Sequence, residues 1–117
     1  HDRRGNFAAA VEDFTSALSI DTNNADFYHN RGFSHRKMGT FAKAVADYTQ
    51  AIKLNPKHCR AYYNRAFSFD RMQKYPEAIE DYTRALDIEP ENATAFHNRG
   101  SLYERLSRLP EALSDFT

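Results

Sequence analysis

The sequence predicts an all-α fold in which antiparallel helix-turn-helix units of 34 residues stack side by side as a solenoid. Three observations predict it. The first is an internal repeat that needs no gap. Tyr62-Tyr63-Asn64-Arg65-Ala66 lies 34 residues after Tyr28-His29-Asn30-Arg31-Gly32 and 34 before Phe96-His97-Asn98-Arg99-Gly100. Tyr75, Ala78, Asp81, Tyr82, Thr83 and Ala85 answer in the same way to Phe41, Ala44, Asp47, Tyr48, Thr49 and Ala51, and again to Phe7, Ala10, Asp13, Phe14, Thr15 and Ala17. The second is helical spacing: Tyr62, Ala66, Phe69 and Met72 fall on one face of an amphipathic helix, and Tyr75, Ala78, Ile79, Tyr82, Ala85 and Leu86 on one face of the next. The third is the brevity of every link, which forces successive helices into antiparallel hairpins.

The period divides the chain into a partial repeat (1–24), two full repeats (25–58 and 59–92) and a truncated one (93–117). Residues 1–4 read as the tail of a preceding helix. Helices are predicted over 7–20, 25–38, 41–54, 59–72, 75–88 and 93–106, with a further one from about 109. Asn24 and Asn92 suit the N-caps of first helices, and His58 fills that slot in the middle copy. Gly5 and Gly39 fall between helices, as C-terminal glycines do. Pro76 and Pro110 suit the first turn of a second helix, and Pro56 and Pro90 stop one. Gly or Ala at 32/66/100, 44/78/112 and 51/85 lets helix axes approach while aromatic side chains fill the adjoining spaces. A chain that starts without Met and ends in mid-unit is expected to be part of a longer array.

Composition removes several classes of function. Lys+Arg and Asp+Glu balance at 16 each, so there is no electrostatic footprint for nucleic acid or an anionic membrane. No apolar run approaches the ~18 residues of a membrane span, and no signal peptide is visible. Cys59 is the single cysteine, which favours a reducing setting and hence an intracellular, cytoplasmic location. No nucleophile–base pair, phosphate-cradling glycine loop or metal-ligand spacing occurs, so neither enzyme chemistry, nor a metal, nor a cofactor is expected.

Taken together, the recurring residues resemble the tetratricopeptide repeat (TPR) family over essentially the whole chain. The motif reads Tyr28, Arg31-Gly32, His35, Ala44, Tyr48, Pro56, and in the next copy Tyr62, Arg65-Ala66, Phe69, Ala78, Tyr82, Pro90. The chain departs from the motif in lacking Trp, in His35 and Thr22, and in Arg31, Arg65 and Arg99 where the motif has Leu. Each arginine stands opposite an aspartate across its hairpin turn, which predicts the pairs Arg31–Asp47, Arg65–Asp81 and Arg99–Asp115. Asp13 is the competing partner for Arg31.

The resemblance implies a right-handed superhelix whose first helices line a concave groove, with a bound protein segment as the activity. Groove positions carried over from the family are Asp26, His29, Asn30, Phe33, Arg36 and Lys37, then Arg60, Tyr63, Asn64, Phe67, Asp70 and Arg71, then Thr94, His97, Asn98, Ser101, Glu104 and Arg105. Asn30, Asn64 and Asn98 form a row at the repeat spacing, able to hold both N–H and C=O of an extended backbone. Of the sixteen Phe and Tyr residues, Phe27, Phe33, Tyr63 and Phe67 lie outside the recurrent packing slots, and the last three fall at groove positions. The competing reading packs Phe33 and Phe67 between neighbouring first helices. Arg3, Lys37, Arg71 and Arg105 make a basic row that either favours acidic peptides or complements helix dipoles.

The candidate peptide-binding residues are therefore Asn30, Asn64, Asn98, His29, Tyr63, His97, Phe33, Phe67, Lys37, Arg71 and Arg105. A carboxylate clamp of the co-chaperone type would require its ligands at His29, Phe33, Asn64, Thr94 and Asn98, and only Asn64 matches. The leading expectation is a scaffold or adaptor module that binds a protein or an extended peptide. The alternative is a substrate-recruiting or regulatory arm of an enzyme whose catalytic domain lies elsewhere. RNA binding by a related helical repeat is disfavoured by neutral charge and a constant Asn. End-to-end self-association through uncovered residues such as Val11, Leu18, Leu109 and Leu113 is also expected.

Overall fold

The computed structural model describes the backbone of residues 3–115 and the side chains of 5–107. Its helices are α1 (Arg3–Ile20), α2 (Ala25–Lys37), α3 (Phe41–Leu54), α4 (Cys59–Arg71), α5 (Tyr75–Ile88) and α6 (Ala93–Asp115). Each packs on its neighbours in sequence, and the result is elongated, 54 × 33 × 23 Å. The radius of gyration of 16.0 Å exceeds the roughly 13 Å of a compact domain of this length. A stack of hairpins, each touching only the adjacent ones, produces that shape.

Local chemistry explains the boundaries. Asn24 accepts from the backbone N–H of Phe27 at 3.0 Å, and Asn92 from that of Ala95 at 3.0 Å. His58 does the same with a ring nitrogen, Nδ1 accepting from Ala61 N–H at 3.2 Å. Between α2 and α3 the chain turns through Gly39 at φ 79°, and between α4 and α5 through Gln73 at φ 62°. Only glycine takes that conformation without strain, so Gln73 holds it at a cost of roughly 1 kcal/mol.

Two expected breaks do not form. The third hairpin position is Ser107, and α6 runs straight through it to Asp115 in place of a separate helix from about 109. A turn there would force a positive φ on serine, at the same cost of roughly 1 kcal/mol as at Gln73. Continuing the helix keeps backbone bonds at no such strain. Gly5 likewise lies inside α1, with nothing within 4 Å of where a Cβ would stand.

Small residues and tyrosines make the core. Ala44, Tyr48, Ala51 and Ala61 form one cluster, with Tyr28 and Ile52 against it. Ala66, Ala78, Ile79, Tyr82, Leu86, Ala95 and Leu102 form the next. A Cβ on Gly32 would lie 2.9 Å from Tyr48 Cε1, so the glycine sets how closely α2 approaches α3. Phe96 and Tyr103, expected in packing slots, are 49% and 54% exposed among the described residues. Leu18, expected to be uncovered, is buried. Leu109 and Leu113 lie outside the described side chains.

Arginines fasten one repeat to the next. Arg31 donates to Asp47 through Nε (2.9 Å) and NH2 (2.7 Å), and its NH1 reaches Thr15 Oγ1 at 3.2 Å. Arg65 repeats the arrangement with Asp81 (2.7 and 2.8 Å) and Thr49 (3.1 Å). The aspartate lies in the arginine's own repeat and the threonine in the preceding one. Thr15, and not Asp13, is therefore the second partner of Arg31. Arg99 reaches Thr83 at 3.1 Å, while Asp115 lies outside the described side chains. The Arg31–Asp47 bond raises the Arg31 guanidinium above its ordinary value. Burial pushes the Asp81 carboxyl up, and Arg65 opposes that push.

Candidate functional site

The first helices α2 and α4 touch directly across the repeat boundary, whereas α3 and α5 make no contact of comparable extent. The stack therefore curves with its first helices inside. The candidate site is this inner face.

The asparagine row is tied into the array. Asn64 is 8% exposed and its Nδ2 lies 3.0 Å from His29 Nε2, while His29 Nδ1 lies 3.1 Å from Asn30 Oδ1. Both bonds fit a neutral His29 protonated at Nδ1, donating to Asn30 and accepting from Asn64. His29 is 4% exposed, and its rings stack with His58 at 4.8 Å between centroids. Burial, above all, lowers its pKa from 6.5 to about 4, against the Asn30 hydrogen bond, which raises it. His58 in turn faces Asp26, with Nε2 3.1 Å from Oδ1. One repeat on, Tyr63 replaces His29, and Asn98 Nδ2 donates to Tyr63 Oη at 3.2 Å and Tyr82 Oη at 3.4 Å. In both copies the amide reaches back to the ring of the previous first helix. Among the described residues the Oδ1 atoms of Asn64 and Asn98 accept no bond, but Asn64 is buried, whereas Asn30 and Asn98 are partly exposed.

The difference between the copies leaves a gap in satisfaction. Tyr82 Oη is met by Asn98, but Asn64 turns to His29, and the fully buried Tyr48 Oη has no partner.

Phe33 and Phe67 are half-buried on neighbouring first helices and are joined by Arg36. Its guanidinium carbon stands 3.9 Å from the Phe67 ring centroid and 5.6 Å from that of Phe33. Lys37 Nζ adds a contact at 5.3 Å to Phe33. Beyond Phe67 an open hollow is lined by Phe67, Asp70, Arg71, Gln73, Tyr75 and Arg105. Asp70 is held there by Arg105 NH1 at 3.1 Å, and Arg71 lies 5.9 Å from the Phe41 ring. Lys37, Arg71, Arg105 and His97 are exposed, while Arg3 of the basic row lies outside the described side chains.

Sequence reasoning placed Arg36 on this face only by analogy, and it did not find the His29–His58 stack. The one available signal was the departure from the repeat: His at position 29 where the next copy has Tyr63, and His58 at a cap where the others have Asn. Cys59 is buried, its thiol donating to Ala85 O at 3.5 Å, and burial pushes its pKa up to about 11. It is not a nucleophile at neutral pH.

A tetratricopeptide repeat model matches residues 25–58 and again 59–92, and a TPR repeat model matches 3–39. The chain belongs to the tetratricopeptide repeat family. Solved structures place this TPR array among known domains. The first TPR of Spaghetti (RPAP3), bound to HSP90 peptide SRMEEVD, superposes with a TM-score of 0.86 at 28% identity, covering 90% of this chain and 83% of that one. The Arabidopsis OM64 TPR domain gives 0.83 at 30% identity, covering 86% and 83%. MamA gives 0.84 at 27% identity, covering 94% of this TPR array and 60% of that chain. No curated protein sequence matches the array. No helix among the described residues is long and apolar enough to cross a membrane.

Proposed function

We propose that this TPR array is a protein-interaction module that holds an extended segment of a partner along its inner face. The observation that carries the reading is the row of partly accessible Asn and aromatic side chains on successive first helices: Asn30, Phe33, Tyr63, Phe67 and Asn98. Amide groups at a fixed spacing suit a peptide backbone, and half-exposed rings beside cations suit side-chain anchors. His97, Lys37, Arg71 and Arg105 border this surface as exposed residues and would contact the segment's flanks. His29 and Asn64 act from beneath, by fixing Asn30 and the seam between α2 and α4.

Similarity to domains bound to HSP90 peptide SRMEEVD and HSP70 peptide SGPTIEEVD supports a peptide ligand. It does not extend to the same mode of grip. Of the clamp positions only Asn64 has a suitable side chain, and it is buried against His29. The segment held here is thus read as internal to its chain, with no requirement for a free C-terminus.

Selection from a library of unstructured peptides tests the reading. Phe67→Ala on the inner face is expected to weaken the selected peptides about tenfold or more, as loss of an aromatic anchor does. Arg84→Ala on α5 is expected to leave them unchanged. Equal loss from both variants, or no selected peptide, would overturn the proposal.

A further inference from the structure

Arg36 differs from the arginines that are paired with an acid, and, unlike the exposed Arg60 and Arg71, which also face none within 4.0 Å among the described residues, it is partly buried. Arg31, Arg65, Arg84 and Arg105 each face a carboxylate within 4.0 Å. Arg36 has no acid within that distance among the described residues, and its Nε is buried with no hydrogen-bond partner. Two phenyl rings hold it across the seam between α2 and α4, Phe33 from its own helix and Phe67 from the next. The acid one repeat on, Asp70, is engaged by Arg105 at 3.1 Å. The fully buried Tyr48 Oη is the second polar atom without a partner among the described residues.

A guanidinium packed against the Phe67 ring, with its Nε buried, is partly withdrawn from water and has no counter-ion among the described residues. Its planar edge still offers donors, and a carboxylate is the group that matches them with two parallel bonds. Desolvation by the rings would strengthen such a bond relative to one at an open surface. We propose that Arg36 is a reading site for the carboxylate of a Glu or Asp side chain on the bound segment, with Lys37 as a second cation at its edge. The source is taken as a side chain because the positions that would clamp a terminal carboxylate are filled by His29, Phe33, Thr94 and Asn98, with Asn64 buried against His29. A chain terminus is not needed. The equivalent residues of the other repeats are acidic, Asp70 and Glu104, so the cation occurs at one register only and fixes where along the array the peptide's acid must sit.

This inference rests on the peptide-binding reading above, and the test separates the two. Peptides selected by the wild-type array from a random library, each prepared with a free and with an amidated C-terminus, are compared by fluorescence anisotropy with versions in which each Glu is replaced by Gln and each Asp by Asn. The expected result is enrichment of Glu or Asp at one position, and a loss of about 10- to 100-fold on replacing that acid, as for a charge-assisted bond. Arg36→Gln should produce a similar loss with the acidic peptide and little further loss with its neutral version. The peptide replacement on the wild-type array gives the answer even where Arg36→Gln lowers stability. Selected peptides with no acid preference, or an acid preference that needs a free C-terminus, would overturn the Arg36 assignment and leave the peptide-binding reading intact. An Arg36→Gln effect equal for acidic and neutral peptides would also overturn it. Failure to select any peptide would remove both.

Discussion

Replacing Arg65 with alanine is predicted to be among the most damaging changes outside the apolar core. The side chain donates two charge-assisted bonds to Asp81, at 2.7 and 2.8 Å, and a third to Thr49 in the preceding repeat, at 3.1 Å. Its removal leaves the Asp81 side chain, 4% exposed, without its counter-ion. Breaking a buried pair by deleting one partner costs about 3–5 kcal/mol. Arg65 is 19% exposed, so water enters part of the vacated space, and the lower end, about 3 kcal/mol, applies. For a chain of this length that is a fall of roughly 12 °C in Tm. Asp81→Ala should cost less, about 2 kcal/mol, because the freed guanidinium can turn to solvent. The double variant should then be no worse than Arg65→Ala, a coupling of about 2 kcal/mol. Urea unfolding followed by far-UV circular dichroism supplies all four corners of the cycle. Additivity within about 0.5 kcal/mol would show that the fork contributes nothing and refute the reasoning.

Three further outcomes follow from the same geometry. His29 is neutral in the fold, with its pKa lowered from 6.5 to about 4. Its contribution to stability is therefore complete above pH 6.5 and is lost as pH falls toward 4, by about 3 kcal/mol, and His29→Gln should flatten that part of the stability–pH curve. Gln73→Gly removes the strained positive φ and should raise stability by about 0.5–1 kcal/mol, read as a Tm increase; a decrease would mean the turn is not strained. Phe96 and Tyr103 form the exposed apolar surface of α6, and light scattering at millimolar protein should show association that Phe96→Glu abolishes. Monomers at that concentration would contradict it.

Much of the architecture was legible in the sequence because each interaction is written more than once. The caps at Asn24 and Asn92, the turn at Gly39, and the Arg31–Asp47 and Arg65–Asp81 pairs all recur at one spacing, so a reading of one copy is checked by the next. What escaped was whatever breaks the period. The buried His29–Asn64 bond depends on His standing where the following copy has Tyr63, and that same substitution leaves Tyr48 Oη unmet. The packing of Arg36 between Phe33 and Phe67 joins two different groove positions across a repeat boundary, and a periodic pattern does not report such diagonal contacts. Continuation of α6 through Ser107 was missed for a related reason. Periodicity predicts a hairpin at each 34-residue step, whereas the helix continues through Ser107, where a turn would strain the backbone as it does at Gln73.

The central claim is that the inner face of the first helices is the binding surface. The most direct measurement is a titration of isotope-labelled protein with a library-selected peptide, followed by backbone and side-chain amide shifts. The account predicts saturable changes at Asn30, Tyr63, Phe67, His97 and Asn98, with Lys53 on α3 and Arg84 on α5 unmoved. Changes confined to α3 and α5 would place the interaction on the outer face and contradict it.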